Sequence, residues 1–403
     1  MNHNIASSQV FFTIVIPTRD RSDTLIHAIS SALAQEYGSF QVLISDNASL
    51  DDTREKVMAM KDPRLKYVNT GKRVSMSENW EFALNHVKHG WVTILGDDDA
   101  ILPGSLSRVN QIISETGTDA IRANGCSFAW PGVHSKDYGR LRLSLRKGYE
   151  IRNSSKALRD VLMGRLNYNE LPVLYNGGFI SVRLVENAKR QSESFFHSVT
   201  PDVYSGVVFS LLTKNYIYSH EPLAINGASL HSGGTAAFET SKRMREYDPA
   251  EKFLQENNLP FHNDLPLLPD GRPVKSIIVL VYECFLQAIR FFASNQTVVC
   301  HRRLMLLALS MSGTRRPEVE EWTVLYSKLH NVAQPGTLIL TFYSFLFALS
   351  TFTRRANSAF EFFSLQGGQM IPLKNVFEAS VAAGLIKDLR PSPIFSATRR
   401  LLK

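Results

Sequence analysis

Short apolar runs alternate with amphipathic stretches through the first hundred residues. Residues 11–16 form a continuous run of aromatic and β-branched residues closed by Pro17, which predicts a buried strand, and residues 40–44 predict a second. Between them, Leu25, Ile26, Ile29 and Leu33 recur at helical spacing over residues 22–34. The alternation continues with a helix at 51–60, a strand at 65–68, a helix at 77–86 and a strand at 91–95. A β-α-β-α-β-α-β series of this kind implies an α/β fold with a mostly parallel sheet and helices on both faces. Ligands then bind beyond the carboxyl ends of the strands.

A further helix is expected to about residue 113, followed by an irregular stretch to 175. Apolar segments at 176–182 and 217–225 complete a mixed sheet. After residue 239 come a charged helix and a proline-rich linker over 259–273, and the rest reads as helical. Over 275–294 the residues Lys275, Ser276, Glu283, Gln287, Arg290 and Ser294 share one side of the helix, opposite a continuous apolar face. Residues 336–353 carry no charge and end at Arg354-Arg355. Their length and the Pro335-Gly336 start favour a buried or interfacial helix over a membrane span. The expected organisation is a catalytic α/β domain over 1–245, a linker at 246–273 and a mainly helical domain over 274–403.

Composition fits a folded globular protein: 403 residues, 44% hydrophobic and 20% charged, enough for two or three folding units. Three cysteines without metal-ligand spacing argue against a disulfide framework or a structural zinc, and favour a reducing, cytoplasmic compartment. The first apolar run reads as a strand and not as a targeting segment. The net charge of +8 is uneven, because from Leu265 onward 16 Lys/Arg face 8 Asp/Glu. That bias suggests either an anionic surface or a solvated basic face.

The polar clusters after the strands carry the chemistry. Asp97-Asp98-Asp99 is costly for like charges packed together, and a divalent Mn²⁺ or Mg²⁺ held by carboxylate and diphosphate oxygens would answer that cost. A solvated acidic turn is the plainer alternative. Alternation at a strand end would aim Asp97 and Asp99 at one ligand and turn Asp98 aside, unless the backbone curls first. Asp46, with Asn47 and Ser49, follows the second strand, where a carboxylate can accept a base's imide; capping explains part of this cluster. Pro17, Thr18, Arg19, Asp20 and Arg21 come directly after the first strand.

Taken in order, residues 14–21, 46–53, Ser77-Glu78-Asn79 and Leu95-Gly96-Asp97-Asp98-Asp99 with Pro103-Gly104 resemble the family 2 inverting glycosyltransferases of GT-A fold, over roughly residues 11–235. The resemblance implies a nucleotide-sugar site of Pro17, Thr18, Arg19, Asp20, Asp46, Asn47, Asn79, Asp97 and Asp98. It implies a metal held by Asp99 and Asp97, with Asp98 the alternative second ligand, and His231 completing the shell or contacting phosphate, a satisfied or exposed histidine being the plainer alternative. Arg19-Asp20 replaces the usual Tyr-Asn pair, and Gly96 stands where many members have an aspartate. Inverting transfer needs one general base, for which Asp202, at the start of an apolar helix, is the best match; a plain helix-start carboxylate is the alternative.

The implied partners are a nucleotide-sugar donor, a UDP-sugar being favoured, and a glycan or lipid-linked glycan acceptor of surface polysaccharide assembly. The basic C-terminal helices suggest peripheral contact with the inner face of the membrane, or packing, or a homo-oligomer. No zinc spacing or RNP-like run points to nucleic acid. A scaffold that binds nucleotide-sugar without turnover is the rival reading.

Overall fold

The computed structural model describes residues 9–131, 139–229, 258–292, 300–365 and 373–388. The expected series appears at the N-terminus: β1 (Phe12–Thr18), α1 (Ser22–Leu33), β2 (Phe40–Asp46), α2 (Thr53–Ala59), β3 (Leu65–Asn69), α3 (Met76–Asn85) and β4 (Trp91–Ile94). The core of β1 is fully buried from Phe12 to Ile16, as its unbroken apolar run requires. α3 starts at a reciprocal cap: Ser75 Oγ accepts from Glu78 N at 3.2 Å, and Glu78 Oε2 accepts from Ser75 N at 2.9 Å.

Next come β5 (Ala100–Ile101) and α4 (Ser105–Thr116), and then regular structure where an irregular stretch is expected from the sequence. It comprises β6 (Ala120–Ala123), β7 (Cys126–Ala129), β8 (Leu141–Ser144), β9 (Tyr149–Asn153) and α5 (Ser154–Leu162). Strands of four or five residues are too short to show a period. β10 (Gly178–Ser181), α6 (Val182–Ser192) and α7 (Pro201–Leu212) come next. The single apolar segment expected at 217–225 is two strands, β11 (Asn215–Ser219) and β12 (Ala224–Ala228), in different sheets. Pro222 lies between them and cannot extend a strand ladder.

The main sheet has the order β3-β2-β1-β4-β10-β6-β11-β9. β1, β2, β3 and β4 are parallel, and β10 is antiparallel to both β4 and β6. β6 therefore runs with β4, so the carboxyl ends of β1, β2, β4 and β6 share one edge.

The C-terminal region comprises α8 (Ile277–Phe292), α9 (His301–Ser310), α10 (Arg316–His330), α11 (Thr337–Glu361), β13 (Phe362–Leu365) and α12 (Val376–Asp388). The fold class is as expected, but this region does not pack apart. Val281, Cys284, Phe285 and Ala288 of α8 join the core between the main sheet and α7. β13 pairs with β8, and Ala379 and Ala383 of α12 pack on the second sheet, β13-β8-β7-β12-β5. The polar stripe of α8 turns inward, with Glu283 and Gln287 buried.

Candidate active site

Three loops meet at the common edge. Thr18, the last residue of β1, donates through Oγ1 to Asp97 Oδ2 at 2.8 Å, tying the ends of β1 and β4. Arg21 Nη1 meets Asp97 Oδ1 at 2.9 Å. Burial would depress the Arg21 guanidinium, but the charges of Asp97 and Asp98 outweigh it and hold the pKa raised. Part of the positive charge that the acidic run demands is thus built into the chain.

The expected alternation within that run is not realised, because residues 97–98 form a turn. Asp99 is fully buried and points inward: Oδ2 accepts from Tyr175 Oη at 2.7 Å and Gly96 N at 3.1 Å, and Oδ1 from Gly227 N at 2.7 Å. Burial, and then the charge of Asp98, push its carboxyl well above the usual range, against those three donors. Three donors thus take up most of the Asp99 carboxylate and leave about one of its four lone-pair sites for the metal expected there. Asp98 has a different setting. Its carbonyl accepts from Trp130 Nε1 at 2.8 Å, and its Oδ2 accepts from Ser229 Oγ at 2.5 Å. His231 lies outside the described residues.

Two glycines are explained by close approach. A Cβ on Gly227 would lie 1.8 Å from the Asp98 carbonyl oxygen, and one on Gly96 would lie 2.6 Å from Asp99 Oδ2 and 2.7 Å from Tyr175 Oη. The absence of a side chain at Gly96 leaves room for the Tyr175 hydroxyl.

At the end of β2, Asp46 is buried and fully engaged. Ser49 N and Oγ donate to Oδ1 at 3.0 and 2.5 Å, while Tyr67 Oη and Asn69 Nδ2 donate to Oδ2 at 2.5 and 2.9 Å. A carboxylate has about four lone-pair sites, so a base's imide would have to displace one of these donors. Burial, and then the Asp46 bond, push the Tyr67 hydroxyl up to about 12.

Asn47 clamps Val74 through both its amide oxygen and nitrogen, each at 2.8 Å. Asn79 accepts from Ser45 Oγ at 2.7 Å, so both asparagines hold loops and face inward. Asp20 adopts φ +51° and joins the first two loops, accepting from Leu50 N at 2.7 Å and Arg73 Nη2 at 2.6 Å. Pro17, beside Ser45 in the strand register, and Arg19 are half-buried at the same edge.

Asp202 is the second residue of α7, after Pro201, and is half-buried. Burial raises its carboxyl pKa, opposed by the amides of the helix start, the Tyr168 hydroxyl and the Arg122 guanidinium. Arg122, buried in β6, donates to the carbonyls of Asn169, Tyr175 and Asn176 at 2.5, 2.7 and 2.9 Å. It fixes the backbone that presents Tyr168 and Tyr175.

A cavity of about 630 Å³ adjoins these groups, with Arg122, Tyr168 and Asn226 on a polar wall and Ile278, Met311 and Phe347 on an apolar wall from the C-terminal helices. Tyr168, Tyr175, Arg122 and Trp130 carry no motif in the sequence that marks them as site residues. Only the departure at Gly96 hinted at a neighbour filling that space.

Among the described residues no three His, Cys, Asp or Glu side chains converge as a metal cage. The donor chemistry still fits a hard cation that takes most of its ligands from a diphosphate and water, with Asp98 as the protein carboxylate.

Residues 13–159 match the family described as Glycosyl transferase family 2. The resemblance read from the order of strand-end motifs is borne out over these residues. The chain is 30% identical over 190 residues to the GalNAc(5)-diNAcBac-PP-undecaprenol beta-1,3-glucosyltransferase of Campylobacter jejuni, covering 46% of this chain and 55% of that protein. It is 28% identical over 94 residues to the UDP-Glc:alpha-D-GlcNAc-diphosphoundecaprenol beta-1,3-glucosyltransferase WfgD of Escherichia coli, covering 23% and 37%. The matches thus span about half or less of these relatives. Among solved structures, S. aureus TarS 1-349 in complex with UDP-GlcNAc is similar at 14% identity and a TM-score of 0.45, over 81% of this chain and 93% of that one.

Proposed function

We propose that this chain, whose residues 13–159 match the family described as Glycosyl transferase family 2, moves a sugar from a nucleotide-diphosphate donor to a glycan or lipid-linked glycan acceptor in bacterial surface polysaccharide assembly. The observation that carries the reading is one cavity whose lining reaches two separate carboxylate groups through intermediate residues. Tyr168 on its wall bonds the Asp202 carboxylate, and Asn226 on its wall precedes Gly227, which holds the acidic turn 97–99. A UDP-sugar is the favoured donor, a choice supported by the UDP-glucose in one relative's name.

In this reading the nucleotide lies across the ends of β1 and β2, against Pro17, Thr18 and Arg19, and the diphosphate lies at Asp98. A Mn²⁺ or Mg²⁺ ion held by Asp98 and the diphosphate would neutralise charge on the leaving group. Asp202 takes the proton of the acceptor hydroxyl as its oxygen bonds to the anomeric carbon. The bond from that carbon to the diphosphate breaks on the opposite face, so the configuration inverts. Burial makes the Asp202 carboxylate a stronger base than an exposed aspartate. The polar wall of the cavity suits sugar hydroxyls, and the apolar wall suits the start of a lipid tail.

α11 supports a membrane-surface role. Leu338, Phe342, Phe345 and Leu349 recur on one helical face and are exposed, while Phe347 lines the cavity. No helix among the described residues is long and apolar enough to cross a membrane.

The test is a thermal-shift screen of UDP, GDP, CDP and dTDP with Mn²⁺, then product analysis with the matching nucleotide-sugars. Stabilisation by one nucleotide and anomeric inversion in the product are expected. No response to any of the four would overturn the reading.

A further inference from the structure

α8 reaches the start of α7 through polar contacts that packing alone does not require. Ser198 Oγ donates to Glu283 Oε2, and Gln287 Nε2 donates to Glu283 Oε1 at 2.9 Å. Cys284 Sγ lies 3.2 Å from Ser198 Oγ and 3.1 Å from Thr200 Oγ1. On the other side of the loop, Ser77 Oγ donates to the Ser198 carbonyl at 2.8 Å, which joins the loop to α3.

Thr200 is the N-cap of α7, yet its side chain makes no capping bond. A threonine there ordinarily accepts from an amide two or three residues on. Here the hydroxyl faces Cys284 instead. Pro201 presets the first helical turn but contributes no donor. The segment just before Asp202 therefore owes its side-chain anchoring to α8, and α3 holds its backbone through Ser77.

Glu283 is itself fully buried, and burial drives its carboxyl up to about 7, against the bonds from Ser198 and Gln287. An apolar side chain would fill this helix interface at lower cost, so a carboxyl here marks a demand for direction.

We propose that Glu283, seconded by Cys284, is a positioning residue for Asp202: α8 holds residues 198–200 so that the carboxylate at the head of α7 stays aimed at Tyr168 and the cavity it lines. The C-terminal region then completes the active site. This inference rests on Asp202 being the base.

The test uses the full chain, with UDP-glucose and UDP-N-acetylglucosamine as donors and a diphosphate-lipid-linked N-acetylglucosamine as acceptor. Glu283→Ala is expected to lower kcat by about tenfold or more while leaving the donor KM within about twofold, as misplacement of a reacting group does. Glu283→Gln, which can still accept from Ser198, should keep kcat near wild type. Ser198→Ala provides a milder break should Glu283→Ala fold poorly, with the same split expected.

Unchanged kcat in both Glu283→Ala and Ser198→Ala, beside an inactive Asp202→Asn, overturns the positioning role alone. Equal losses in Glu283→Gln and Glu283→Ala overturn it too. Full activity in Asp202→Asn overturns the base assignment, and the inference with it.

Discussion

The Tyr175 hydroxyl donates to Asp99 Oδ2 at 2.7 Å in the space that Gly96 leaves open. With Gly96 N and Gly227 N it gives the buried Asp99 three donors, and the proposed function divides the run by assigning Asp98 to the diphosphate.

Gly96→Ala would set a methyl 2.7 Å from Tyr175 Oη. It should destabilise the protein by about 1–3 kcal/mol, the range for overpacking a tight site. Tyr175→Phe should cost a similar amount, about 1–3 kcal/mol, by leaving a buried carboxylate short of a donor. Urea unfolding of the two variants checks both values. Unchanged midpoints would mean that the turn is held by other contacts.

The division predicts opposite behaviour for neighbouring aspartates. In Asp98→Asn the stabilisation by Mn²⁺ plus nucleotide diphosphate should largely vanish with little change in the melting temperature of the free protein. In Asp99→Asn the free protein should melt lower, because an amide nitrogen would replace one acceptor oxygen and face one or two of the three donors, while the ligand response persists. The reverse pattern would return the metal to Asp99.

Asp202 should set the acid limb of the kcat profile. The fold raises its pKa above 3.8, so the base is lost to protonation at a higher pH than an ordinary aspartate would allow. The same shift has a stability consequence. Above pH 3.8 the folded state holds a proton longer than the unfolded chain, so stability falls as pH rises through the window up to the raised pKa. Asp202→Asn should remove that slope and lower kcat by about 10²- to 10⁴-fold. Stopped turnover and pH-dependent melting read the two effects separately.

The exposed face of α11 predicts adsorption to membranes. The wild-type chain should float with vesicles of phosphatidylglycerol and phosphatidylcholine, and less at high salt, while Phe342→Ser with Phe345→Ser should stay in the pellet. Both side chains are exposed, so folding should be unaffected. Flotation that ignores the double variant would exclude α11 as the contact.

The α/β series, the strand edge that carries the polar loops and the helical character of the C-terminal third are all legible in the chain. They are local properties: an apolar run such as residues 12–16 buries wherever the fold permits, and the polar residues after it emerge at the edge. The pairing of the polar groups is not local. Arg21 with Asp97, Tyr175 and Gly227 with Asp99, and Glu283 with Ser198 join residues from 76 to 128 positions apart. No spacing along the chain encodes such pairs, because each carboxylate is committed by which donors the packed core brings within about 3 Å. The place of Asp99 in the acidic run pointed to a metal, whereas its packed surroundings add three donors that no spacing announced. The polar stripe of α8, visible as a stripe, gained its partner only when the helix docked against the loop before α7.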